Sequence, residues 1–265
     1  MEKFRIFSKT QKIHLLLILL FGLGTLAVQQ DQLFQKTYQA EISKKEDDKA
    51  KNRREAERLY ERSIHYNKRG NFVKGFELLD EAVRLDSLSH LGYRGWMKLY
   101  KLRDFEKALK DFNDLDAMTP GVVDAPWGEH IDLLRGQCYL GMKDFDAALE
   151  RLNLCIDEVT TTNGESWVDV NAFLYQGICY LEMGNLSKAK TDFEKLLKYY
   201  EKSADGFYYL ALTNFKSGST KVVCSLLDQA SIFYEKGYKH TDSYNEFLYE
   251  IYEADIEGLR EKACK

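Results

Sequence analysis

The sequence predicts an all-α protein, an α-solenoid of about five stacked helix hairpins with a C-terminal capping helix. Three observations predict it. Only 2 of 265 residues are proline, the residue that breaks helices by removing a donor and clashing with the preceding turn. Small residues recur within helix-like segments at Ser63, Gly95, Gly136, Gly177 and Ala211, separated by 32, 41, 41 and 34 residues. Between these segments stand short polar or glycine turns, Arg69-Gly70-Asn71, Lys143-Asp144, Gly184-Asn185 and Ser217-Gly218; glycine there supplies the left-handed residue that ends a helix. With 45% hydrophobic and 30% charged residues, the chain can bury a core, which excludes disordered and low-complexity classes.

The N-terminus comes first. Lys3, Arg5, Lys9 and Lys12 precede an apolar run from Ile13 to Val28. A basic flank followed by an apolar stretch of this length reads as a secretory signal peptide, with Thr25-Leu26-Ala27 as the cleavage region, or as a retained N-terminal membrane anchor with residues 1–12 cytoplasmic. The first domain is therefore 1–28, and both readings place the bulk of the chain at or beyond a membrane. Residues 29–55 form a charged helical spacer; the stretch Ser43–Arg58 mixes both signs, as a solvated helix does. Residues 1–58 carry a net charge of +4 and residues 59–265 a net −8. An acidic folded part excludes non-specific nucleic-acid binding, which needs a basic footprint.

The repeat domain is 56–240. Behind the small column comes an aromatic or apolar position at Phe72, Phe105, Phe145 and Leu186, with Thr220 in the last copy. Three residues on stand Gly75, Ala108, Ala148, Ala189 and Val223, and four further Leu79, Phe112, Leu152, Phe193 and Leu227. Small residues in facing helices allow close approach, and Phe or Leu fills the space beside them. Each hairpin leaves a face that only its neighbours can bury, so stacking supplies the core. Gly95 reaches Phe105 in ten residues where the other copies take nine, a one-residue insertion. The two long separations place extra residues at Thr119–Glu129 and near Thr160–Ser166, read as inter-repeat loops. Trp127 in the first loop is either a contact residue or packed back on its hairpin. Residues 241–265 read as one amphipathic capping helix from Thr241 to Ala263, started by a capping box of Ser243 and Glu246.

The stretches RGNFVKGFELLDEAVRLD, RDFEKALKDFNDLDAMTP, KDFDAALERLNLCIDE and GNLSKAKTDFEKLLKYY, with the upstream RGWMKLY, RGQCYL and QGICYL, resemble the turn, second helix and glycine-containing first helix of the tetratricopeptide repeat family. The resemblance spans about Ala56 to Tyr234. It departs in keeping the closing proline only at Thr119-Pro120 and in lacking the aromatic after the fifth turn.

Chemistry-bearing motifs are sparse. The five cysteines form no C-x-x-C and no zinc spacing, and an odd number does not suit a disulfide framework. Cys138, Cys155 and Cys179 occupy packing columns and read as buried structural thiols; Cys264 carries no assigned role. The histidines at 14, 65, 90, 130 and 240 are scattered, Glu129 beside His130 is explained by a helix N-terminus, and no phosphate loop or nucleophile motif occurs. The expectation is a protein that is not an enzyme and carries no cofactor or metal.

What the resemblance implies is a non-catalytic protein–protein interaction scaffold whose first helices line a groove for a peptide or helix of a protein partner; the N-terminal segment makes the expectation an exported or membrane-tethered one. The groove candidates are Tyr60, Ile64 and Asn67, then Trp96, then Gln137, then Asn171, Leu174 and Ile178, then Tyr208 and Phe215. Tyr60 and Ile64 stand where relatives that clamp a partner's terminal carboxylate carry Lys and Asn, so apolar and aromatic anchors are expected instead. The alternative is a structural component of a cell-envelope or secretion assembly that uses the convex face and loops.

Overall fold

The computed structural model describes residues 9–241 and 245–264, with side chains from residue 29 onward. The helices are α1 (Lys9–Asn67), α2 (Phe72–Leu85), α3 (Ser87–Met97), α4 (Phe105–Met118), α5 (Ile131–Gly141) and α6 (Phe145–Asn163). They continue as α7 (Val170–Glu182), α8 (Leu186–Tyr199), α9 (Ala204–Lys216), α10 (Val223–Glu235) and α11 (Glu253–Ala263). From the last turns of α1 to α10, each helix packs on its sequence neighbours in an unbroken series. This is an all-α solenoid of helix hairpins.

The columns explain why these residues stack. A Cβ added to Gly95, Gly136 or Gly177 would lie 2.8, 2.8 or 2.6 Å from Phe112, Leu152 or Phe193 respectively. Each small residue of a first helix therefore admits the large residue of the second helix of its own hairpin. Phe112, Leu152 and Phe193 are fully buried. The second helices of the first four hairpins start alike: Asn71, Asp104, Asp144 and Asn185 cap them by accepting from the backbone N–H three residues on, satisfying a donor that has no partner within the helix. The fifth copy, which lacks the aromatic after its turn, instead begins with a single 3₁₀ turn at Thr220–Val222. Where glycine is missing from the turn, Arg103 and Lys143 take its left-handed conformation at φ 52° and 62°.

The one-residue insertion between Gly95 and Phe105 is absorbed as a π-helical turn, Lys98–Leu102, at the end of α3. A π turn is the local form that one inserted helix residue takes. The insertion near Thr160 behaves differently from expectation. It lengthens α6 to Asn163, and the connection to α7 is the short run of residues 164–169, which includes the 3₁₀ turn Glu165–Trp167. Lys195, Lys198 and the Tyr199 hydroxyl converge on Glu165 and hold its carboxyl down to about 2.

Burial along α1 begins at Ala56, whereas residues 29–54 are almost entirely exposed. Among the described residues no helix is long and apolar enough to cross a membrane. The expectation of a signal or anchor rests on residues 1–28, outside the described side chains.

Two expectations for the C-terminus are corrected. Residues 245–252 are not helical, and α11 starts only at Glu253, capped by Tyr252 and Asp255; Ser243, assigned to the expected capping box, lies outside the described residues. The aromatic spacing that reads as a helix face serves tertiary docking instead. The cysteine parity argument also fails: Cys224 on α10 is disulfide-bonded to Cys264. Cys138, Cys155 and Cys179 are free and buried, as expected for structural thiols, and burial pushes their pKa values well up.

Candidate partner-binding groove

The end of α1 with α3, α5, α7 and α9, the first helices of the hairpins, supplies the candidate groove. Over its C-terminal part the chain lays its own non-helical residues 238–241 and 245–252 as a strap. Ala204 N–H donates to the Tyr238 carbonyl at 2.8 Å, and the His240 N–H donates to Asp205 at 2.6 Å. The Tyr209 hydroxyl donates to the Tyr249 carbonyl at 2.7 Å. Arg103, beyond the π turn, donates to the carbonyls of Glu246 and Phe247, and Lys239 ties the strap to itself through Glu250.

Ring contacts run through this interface. Tyr175, fully buried on α7, hydrogen-bonds His240 at 3.0 Å; the His240 ring stacks on Phe247 with centroids 3.9 Å apart; Phe247 meets Tyr100 edge-on at 5.6 Å. From Tyr100 the row continues to Trp96 at 5.2 Å, Tyr93 at 6.3 Å and Tyr60 at 5.0 Å. Trp127 joins from the loop between α4 and α5, lying 5.6 Å from Tyr93 and 6.0 Å from Trp96. It adopts φ 57°, uncommon for a bulky residue and a form of strain that surrounding structure must hold in place. Pro126 provides that hold, packed so closely on α3 that a Cβ at Gly92 would lie 3.0 Å from it. Trp127 thus packs on its hairpin and still leaves 61% of its surface exposed.

Beneath the rings lies Glu129. It accepts from the Tyr100 hydroxyl at 2.8 Å and the Trp96 indole N–H at 3.3 Å, and burial raises its pKa. Glu129, Gln137, Asp169 and Tyr175 line a cavity of about 230 Å³ roofed by His240 and Phe247. Among the described residues no three His, Cys, Asp or Glu side chains are placed to hold a metal ion.

The structure divides the predicted groove residues. Tyr60, Ile64, Trp96, Asn171, Tyr208 and Phe215 are half-buried, and Tyr60 and Trp96 are joined through Tyr93. The other four are corrected. Leu174 and Ile178 are core residues at 1% and 0% exposure, because the same helix face that is open in α3 is packed in α7. Gln137 is buried against Tyr100, and Asn67 is buried with its amide pressed on Gly75 of α2. Sequence reasoning missed Tyr93, Tyr100, His240 and Phe247. The spacing 93, 96, 100 marks one helix face and was a usable signal for the first two; His240 and Phe247 had none.

Docking of the strap involves two titrating groups with opposite signs, Asp205 on α9 and His240 on the strap. Burial pushes the Asp205 carboxyl up to about 6 and His240 down to about 4. Asp205 binds more protons with the strap docked than free, so its contribution weakens docking as pH rises from about 4 to about 6. His240 is docked neutral, so its contribution is lost as pH falls from about 6.5 towards 4. The wild-type strap is therefore expected to show little pH dependence across this window. In Asp205→Asn docking weakens on acidification, and in His240→Gln it weakens as pH rises. Amide hydrogen exchange of residues 245–252 at several pH values, corrected for intrinsic rates, reads both.

Residues 171–203 match the family model of the tetratricopeptide repeat. The fold resembles a fragment of MamA from Desulfovibrio magneticus RS-1 (TM-score 0.58, 16% identity, 69% of this chain and 96% of that one). It also resembles a tetratricopeptide repeat protein from Parabacteroides merdae (TM-score 0.56, 19% identity, 79% and 75%) and Pseudomonas aeruginosa pilF (TM-score 0.53, 16% identity, 69% and 78%). No curated protein matches the sequence.

Proposed function

This chain is a tetratricopeptide-repeat protein, and on that premise we propose that it is a non-catalytic scaffold, exported or membrane-tethered, that binds a peptide or helix of a protein partner in its groove. The observation that carries the reading is the strap: the groove helices already hold non-helical polypeptide, residues 238–241 and 245–252, through backbone hydrogen bonds and aromatic side chains. Such a combination is how grooves recognise peptides generally. The export half is supported by the basic flank and apolar run of residues 1–28 and by the Cys224–Cys264 disulfide, a bond that persists in oxidising compartments.

The test compares proteins cross-linked to the full-length chain in membrane extracts with those cross-linked to a Trp96→Ala, Tyr208→Ala double variant. Loss of specific partners is expected, and an unchanged set would overturn groove binding. Intact mass of the chain recovered from cells checks export. The expected product is either shortened near Ala27 or full-length in the membrane fraction, with the disulfide formed; a full-length, fully reduced chain in the cytosol would overturn it.

A further inference from the structure

We infer that the docking site for the partner is the uncovered aromatic platform at the N-terminal end of the groove, Tyr60, Tyr93, Trp96 and Trp127, and that its occupant is an extended partner segment carrying arginine or lysine. This rests on the groove-binding reading above and specifies its place and chemistry.

Continuity argues for the place. The strap's Phe247 and His240 extend the ring row of the groove, and past Tyr100 the row continues through rings that make no ring contact with the described residues of the strap. A segment entering beyond the strap meets rings of the same kind, presented at the same face. Trp127 is held there in a left-handed conformation with most of its surface open.

Charge argues for the chemistry. Elsewhere in the solenoid, lysines cover aromatic faces: Lys188 lies over Tyr180 and Lys195 over Phe173. Among the described residues no lysine or arginine covers Tyr60, Tyr93, Trp96 or Trp127. The cations nearest in sequence are engaged on another face, since Arg94 and Lys98 on α3 both pair with buried Asp111 on α4 at 2.7 Å. Acidic groups flank the platform instead. Exposed Glu57 lies 4.0 Å from His90, which stacks on Tyr60, and Glu129 accepts from the Trp96 indole. Tryptophan faces bordered by carboxylates attract guanidinium and ammonium groups by cation–π and Coulomb terms acting together.

The test selects a displayed random peptide library on the immobilised full-length chain, then measures one selected peptide by fluorescence anisotropy. Enrichment of arginine and lysine is expected, with affinity falling as salt rises. Trp127→Ala, at an exposed position where circular dichroism should be unchanged, is expected to weaken binding about tenfold. Glu57→Gln leaves every ring in place and is expected to weaken it about threefold and reduce the salt dependence. Selected peptides without basic enrichment, or binding indifferent to Trp127→Ala, would overturn this inference and leave groove binding standing. Recovery of no peptide at all would remove both. Concentration-dependent self-association that blocks the peptide would also overturn it, by making a second copy of the chain the occupant.

Discussion

Phe193→Ala is expected to destabilise the solenoid by about 3–5 kcal/mol, the range for deleting a fully buried aromatic side chain whose cavity the surroundings cannot refill. Phe193 has no exposed surface, sits edge-on to Gly177 of α7 and stacks on Tyr209 of α9 at 5.5 Å. It therefore joins two hairpins, and its loss opens a void that rigid helices on both sides cannot close. Gly177→Ala attacks the same contact from the other side. Its new methyl would lie 2.6 Å from the Phe193 ring, and overpacking of this kind costs about 1–3 kcal/mol. Combined, the two changes should cost less than their sum, because the added methyl enters the space the ring has left. Urea unfolding of the four proteins followed by circular dichroism measures the cycle. Additive costs would show that Gly177 and Phe193 do not share a packing site.

The second large effect is expected at the disulfide. Cys224 and Cys264 are 40 residues apart, and the chain-entropy model assigns a loop of that size about 4 kcal/mol. The loop contains the turn after α10, the strap and α11, so Cys224→Ala should act there first. Ile256 and Leu259 of α11 remain apolar anchors, and the hairpins from α1 to α8 make no use of the bond. The expected signature is faster hydrogen exchange and proteolysis between residues 238 and 263 at a temperature where α3 to α8 stay protected. A reducing agent should reproduce it in the wild type. Uniform loss of protection along the whole chain would contradict this account.

The hairpins were legible in the sequence because a steric rule repeats there: a residue without a side chain must face one with a large side chain, and Gly136 with Leu152 and Gly177 with Phe193 obey it at an offset of 16 residues, Gly95 with Phe112 at 17. The tenth residue between Gly95 and Phe105 was equally visible, but only its geometry shows that a helix absorbs it as a π turn. The strap was not legible. Phe247, Leu248, Ile251 and Tyr252 fall at helical spacing by coincidence, and what fixes them is contact with residues about 40 to 150 positions away, which no local periodicity encodes. The groove was half legible for the same reason. Tyr60 and Trp96 lie where the first helices stay uncovered, whereas Leu174 and Ile178 occupy the matching face of a helix enclosed by its neighbours. The disulfide escaped a parity argument because three of the five cysteines are packing residues, leaving an even pair.

The hydrogen bonds from Arg103 to the Glu246 and Phe247 carbonyls have a consequence for cooperativity. An array whose members touch only their neighbours behaves as a one-dimensional chain of coupled units and frays from either end. A return segment that ties the final unit back to the second converts that open chain into a closed loop of couplings. Its last hairpin can then detach only when contacts to several units are surrendered together, so the C-terminal boundary should melt with the centre of the array rather than ahead of it.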